Sequence, residues 1–170
     1  MNKRSFKARA SLSSGKNMEA LIEAACEKYR LMGVANIVKI PEPFMVLRIN
    51  KDKKSFTGKF IGNAEPDFSG AVKGGKHLAF ESKYTSSDRI KKSVITKKQD
   101  ESLDLYYQVK AHVGVCVGIN RTYAFIPWKV WRDMKNIYGR LYMTEEEVKT
   151  FEVPTPGYID FLKGVFRDEE

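Results

Sequence analysis

Apolar positions recur along this chain with two different periods. From Asn17 to Met32, residues Met18, Leu21, Ile22, Ala25, Tyr29 and Met32 return every three or four positions, which lines one face of a helix. Ser14 or Asn17 can cap its start, and Gly33 ends it. The period then shortens towards two. Asn36–Ile40 is a short run closed by Pro41-Glu42-Pro43, and Phe44–Ile49 alternates loosely enough to predict a half-buried strand. After a basic turn at Lys51-Asp52-Lys53-Lys54, Ser55–Ile61 predicts a returning strand. His77–Tyr84 is the clearest strand. Side chains alternate faces along it, so Ala79, Glu81 and Lys83 share one side, and Leu78, Phe80, Ser82 and Tyr84 the other. Gly70 and Gly74-Gly75, ahead of that strand, suit a hairpin that folds the segment after Asp67 back against it.

Residues 85–95 are polar and basic and read as a loop. A second helix is predicted from about Lys97 to His112, with Thr96 and Gln99 spaced as a capping box. Val113–Ile119 is short and almost wholly apolar, as a buried strand should be, and Tyr123–Ile126 follows after a turn at Asn120-Arg121. Pro127 suits the first turn of a third helix reaching about Asn136. Helix, three or four strands, helix, two strands, helix is an α/β order. It predicts a mixed central β-sheet flanked by helices in one domain over residues 17–140. Residues 1–16 contain bases and no acid, and are expected to form a flexible basic arm; residues 141–170 form an acidic C-terminal extension. Its apolar anchors Phe151, Tyr158, Phe161 and Phe166 predict that the extension packs on something.

Charge sharpens this picture. The chain carries 30 Lys and Arg against 21 Asp and Glu, a net of +9 over 170 residues. Residues 145–170 hold eight acids and three bases, so the preceding part is far more basic than the total suggests. Such a body points to a polyanionic partner, most simply nucleic acid. Cys26 and Cys116 sit in apolar surroundings and read as two buried thiols; neither they nor the isolated His77 and His112 have zinc-ligand spacing. No stretch approaches the ~18 apolar residues of a membrane span, and the basic start lacks the apolar core of a signal peptide. A cytoplasmic protein is expected.

Asp67, preceded by Pro66, is followed after 14 positions by Glu81-Ser82-Lys83. On an ordinary hairpin these residues are a solvated charged face. Brought together, they can do chemistry: two carboxylates repel unless a cation lies between them, and an ammonium beside them can orient water or neutralise a phosphate.

The order of elements and four local stretches resemble the RecU-type Holliday junction resolvases, a branch of the PD-(D/E)xK nuclease superfamily found in Gram-positive bacteria and their phages. The stretches are Gly15-Lys16-Asn17-Met18-Glu19, Asp67-Phe68-Ser69-Gly70-Ala71-Val72-Lys73-Gly74, Phe80-Glu81-Ser82-Lys83-Tyr84-Thr85, and Gln99 near the start of its helix. The resemblance covers roughly residues 15–135. It implies a restriction-endonuclease-like core, and a metal-dependent endonuclease that resolves four-way DNA junctions by paired symmetric nicks, acting as a homodimer in a bacterial cell or phage-infected host. It implies Mg²⁺, with Mn²⁺ able to substitute, on Asp67, Glu81 and the Ser82 carbonyl. Lys83 would position or activate water. Glu19 would assist the metal, and Gln99 would face the site or only complete its cap. The family's junction-entering stalk has its candidate at residues 50–65. Phosphate contacts are expected from Lys3, Arg4, Lys7, Arg9 and Lys16 on the arm, from Lys51, Lys53, Lys54 and Lys59 on the stalk, and from Arg89, Lys91, Lys92, Lys97 and Lys98 beyond. Glu65-Pro66 departs from the family, which usually has Thr or Ser before the Asp. A duplex-cutting endonuclease of the same superfamily and a non-catalytic DNA-binding protein are the competing readings.

Overall fold

The computed structural model describes residues 3–51, 54–62 and 65–167, with side chains from residue 15 onward. Its centre is a five-stranded sheet in the order β1-β4-β5-β7-β8. These strands are β1 (Ala35–Lys39), β4 (Phe68–Val72), β5 (His77–Thr85), β7 (His112–Ile119) and β8 (Thr122–Pro127). β4 and β5 are the predicted hairpin, turning through Gly74 and Gly75, both at positive φ. β5 and β7 run parallel, joined by the crossover helix α2 (Lys97–Gln108), and the other pairings are antiparallel. The sheet is therefore mixed, with helices on both faces, as the order of elements predicts.

Each face has its own core. α1 (Lys3–Leu31) lays Met18, Ile22, Ala25, Cys26 and Tyr29 against Phe68, Leu78, Phe80 and Cys116. The opposite core joins Val113, Val115, Val117 and Ile119 of β7 to Leu103 of α2 and to Trp128 and Trp131. β7 is thus apolar on both sides, as a central parallel strand must be. Gly70 lets β1 and β4 close up: a Cβ there would lie 2.0 Å from the Asn36 carbonyl oxygen.

The structure corrects several expectations. α1 starts at Lys3, within the stretch expected to be a flexible arm, so Ser14 and Asn17 are interior residues rather than caps. Ala, Leu, Lys and Arg in that stretch favour helix, and it contains no proline. Gly33, in the left-handed region, ends the helix as predicted. α2 stops at Gln108, before the predicted His112, because Lys110 adopts a positive φ as the chain turns into β7. The third helix is two short ones, α3 (Trp128–Arg132) and α4 (Met134–Tyr138), broken at Asp133. The predicted loop 85–95 contains β6 (Arg89–Lys91), which pairs with β9 (Tyr142–Thr144) from the C-terminal part of the chain.

The predicted strands Phe44–Ile49 and 55–61 form a separate antiparallel ribbon, β2 (Phe44–Ile49) and β3 (Phe56–Phe60), outside the main sheet. Every one of their residues is exposed, so β2 is not half-buried: among the described residues no second layer covers it. The stalk candidate at 50–65 takes in only the turn and the returning strand of this ribbon, whose first strand starts at Phe44.

The acidic C-terminal segment packs on this chain. Phe161 is fully buried in the α1 core, Tyr158 and Phe166 flank it, and Phe151 flanks the other core. The Tyr29 hydroxyl donates to Asp160 at 2.5 Å, and Lys28 donates to the Tyr158 hydroxyl at 2.8 Å. α5 (Glu145–Lys149) and α6 (Leu162–Val165) are both short.

Candidate active site

Strand register assembles the site. Phe68 pairs with Phe80, so one step further Asp67 falls opposite Glu81. Both belong to the face covered by α2, because Glu81 is level with Val115 and Lys83 with Val117. The Ser82 backbone N–H donates to Asp67 Oδ2 at 2.9 Å and its hydroxyl to the same oxygen at 3.3 Å. Lys83 Nζ donates to Glu81 Oε2 at 2.9 Å and lies 3.8 Å from Asp67 Oδ2. Gln99 Nε2 reaches down from α2 to Glu81 Oε2 at 2.6 Å.

Glu81 is 1% exposed. Burial, reinforced by repulsion from Asp67, pushes its carboxyl up to about 7, while Lys83 pulls it back. An acid pair in this condition attracts a cation. The bonds above all end on Asp67 Oδ2 and Glu81 Oε2; Asp67 Oδ1 and Glu81 Oε1 take no part in them. Among the described residues no third acidic, histidine or cysteine side chain joins the pair. Two carboxylates, with the remaining positions left to carbonyl oxygen, water or phosphate, suit Mg²⁺, which keeps much of its hydration.

Five expected residues thus come together: Asp67, Glu81, Ser82, Lys83 and Gln99. Ser82 contacts Asp67 through its N–H and hydroxyl. Gln99 does both things expected of it, capping α2 with Thr96 and facing the site. Glu19 is paired with Lys39 at 2.7 Å. Lys39, which the sequence did not single out, precedes Ile40, whose N–H donates to the Asp67 carbonyl at 2.8 Å. The sequence also gave no sign that Tyr106 of α2 donates to Glu65 at 3.0 Å and stacks on His77, tying the approach to Asp67 onto α2.

Of the expected phosphate contacts, Lys16, Lys51, Lys54, Lys59, Arg89, Lys91, Lys97 and Lys98 are exposed. Arg89 pairs with Asp88, Lys97 lies 3.8 Å from Glu101, and Lys92 donates to the Arg132 carbonyl. Lys53 and the side chains of Lys3, Arg4, Lys7 and Arg9 lie outside the described residues.

The family model of RecU, recombination protein U, matches residues 13–165. The chain belongs to the RecU family. The match extends past the resemblance at 15–135 and takes in most of the C-terminal segment. The chain is 28% identical over 169 residues to the Holliday junction resolvase RecU of Geobacillus kaustophilus (strain HTA426). It is 29% identical over 170 residues to that of Geobacillus thermodenitrificans (strain NG80-2). Each alignment covers 89% of this chain and 82% of the relative. Among solved structures, Hjc of Archaeoglobus fulgidus, a Holliday junction resolvase, aligns over 75% of this chain and 92% of its own, with 13% identity and a TM-score of 0.43.

Proposed function

We propose that this RecU-family chain resolves four-way DNA junctions as a metal-dependent endonuclease. The observation that carries the reading is the Asp67–Glu81 pair, set opposite each other by the β4–β5 register with Lys83 between them. Asp67 and Glu81, with the Ser82 carbonyl, would hold Mg²⁺, or Mn²⁺ in its place. When bound, the ion supplies Lewis-acid polarisation of the scissile phosphate and neutralises its charge.

The chain's own residues supply the rest. The Lys83 ammonium has three N–H donors and spends one on Glu81. The others can orient an attacking water or stabilise charge gathering on the phosphate oxygens. Gln99 holds Glu81 in place from α2. The Ser82 N–H and hydroxyl fix one Asp67 oxygen, which aims the carboxylate. The leaving group would be the 3′ oxygen, giving a 5′ phosphate, as the family resemblance implies.

The β2–β3 ribbon is the candidate stalk. Its turn carries Lys51 and Lys54 and its strands expose Phe44, Phe56 and Phe60, so it offers charge to phosphates and apolar surface to unstacked bases. Two paired cuts in a two-fold junction require two sites, which a homodimer supplies. Each phosphate neutralised should add about −0.9 to the log–log slope of binding against salt.

The test is cleavage of a labelled four-way junction and its matching linear duplex, with and without Mg²⁺, beside Asp67→Asn. Symmetric nicks confined to the junction, dependent on the ion and lost by roughly a thousandfold in Asp67→Asn with binding retained, are expected. Equal cutting of duplex would make this a general endonuclease. Cleavage surviving in Asp67→Asn would overturn the site.

A further inference from the structure

Among the described residues Gln99 is the one α2 side chain that hydrogen-bonds to the acid pair, and its usefulness depends on which way its carboxamide faces. The terminal torsion of glutamine is broad and nearly two-fold, and exchanging oxygen for nitrogen barely alters its shape. Facing one way, the NH₂ donates to Glu81. Flipped, the carboxamide would set an oxygen against a buried carboxylate. Because Gln99 is 7% exposed and water has little access, any second source of asymmetry must come from the protein on the far side.

Thr96 provides that asymmetry. Its backbone N–H donates to Gln99 Oε1 at 3.0 Å, and its hydroxyl reaches the same oxygen at 3.2 Å. The hydroxyl also accepts from the Gln99 backbone N–H at 3.3 Å, closing the capping box. A flipped carboxamide would face these two donors with its own NH₂. Both ends therefore select the same orientation, and the device that starts α2 also aims its buried amide at Glu81.

We propose that Thr96 is a positioning residue for the acid pair, acting through Gln99. Thr96 stands at the solvent edge and, among the described residues, its side chain hydrogen-bonds to Gln99 and not to Asp67, Glu81 or Lys83, so its influence on the site runs through the carboxamide. The role rests on the proposed endonuclease reading only for its effect on cleavage; the orientation itself is a property of the metal-free protein.

Three substitutions separate aiming from capping. Thr96→Ser keeps a hydroxyl that accepts and donates. Thr96→Val keeps the shape and loses both. Thr96→Asp caps a helix as well as threonine does, but its carboxylate can only accept, and it draws the Gln99 NH₂ towards itself. The primary readout is the Gln99 side-chain NH₂ resonance pair in ¹⁵N-labelled, metal-free protein, read beside thermal unfolding. The expected result is a wild-type pair in Thr96→Ser and a displaced one in both Thr96→Val and Thr96→Asp, although Thr96→Asp unfolds at the wild-type temperature. Junction cleavage should fall about tenfold in Thr96→Asp with junction affinity unchanged, and remain normal in Thr96→Ser. An unmoved Gln99 resonance in Thr96→Asp would leave Thr96 as a helix cap and overturn the proposal, and so would a cleavage loss confined to the less stable Thr96→Val. If the wild-type chain cuts no junction, the endonuclease reading fails, and the resonance still decides what Thr96 does.

Discussion

The central sheet and the β2–β3 ribbon use similar strands in opposite ways. β5 and β7 lie between two cores, and there the chain buries a carboxylate, Glu81. The ribbon has neither layer, and there it exposes phenylalanines, with Phe60 at 72%. Burying an acid and exposing aromatic rings both cost stability. Each is sustained by what surrounds it. Glu81 has Lys83 and Gln99 on one oxygen, within a sheet packed on both faces. A two-stranded ribbon is marginal by itself, so its apolar surface is available to a partner. The contrast teaches that the sheet offers a packed setting for the proposed chemistry, and the ribbon an open apolar surface.

The contrast breaks most visibly at Gly70. Alanine there would put a Cβ 2.0 Å from the Asn36 carbonyl oxygen, so β1 and β4 would have to be forced apart. We expect a loss of about 3 kcal/mol in urea unfolding. Near-wild-type stability would show that the sheet is less rigid than this reading requires.

The next effect concerns pH. Glu81 titrates higher in the folded chain than its ordinary 4.5, at about 7. The folded state therefore holds this proton more tightly, so the stability it contributes is complete below about pH 4.5 and is lost as pH rises through 7. Metal-free protein should lose about 2 kcal/mol relative to Glu81→Gln between pH 5 and pH 8. Parallel pH profiles for the two proteins would mean that Glu81 is not held in an unfavourable charged state.

The smallest effect on folding belongs to the ribbon. Phe44→Ser with Phe60→Ser should change stability by less than about 0.5 kcal/mol, yet weaken junction binding about tenfold relative to duplex. A large loss of stability would make the ribbon part of the core.

What could be read in the sequence was local. The two faces of His77–Tyr84, the glycine hairpin before it, and the Thr96–Gln99 cap are each set within a few residues, and together they assemble Asp67, Glu81, Lys83 and Gln99. What could not be read depends on distant partners. β6 and β9 are three residues each and exist only by pairing with one another. β2 has an ordinary strand pattern, and only the lack of a covering layer leaves it exposed. Glu19 carries the family's spacing, and its ion pair with Lys39 depends on β1 coming to lie beside α1. The start of α1 was hidden for another reason: basic residues interspersed with alanine suit a helix as well as an unstructured tail.

Tyr29 and Asp160, hydrogen-bonded across 131 positions, bear on the order in which the molecule is made. α1 emerges from the ribosome long before the residues that cover it. The sheet can cover much of the helix's apolar face first, but the part around Tyr29 stays open until Ile159, Phe161 and Leu162 have been synthesised, and closing so distant a contact is slow. The nascent chain therefore passes through a long sticky interval, and slowing translation between residues 140 and 160 should raise its yield of aggregate.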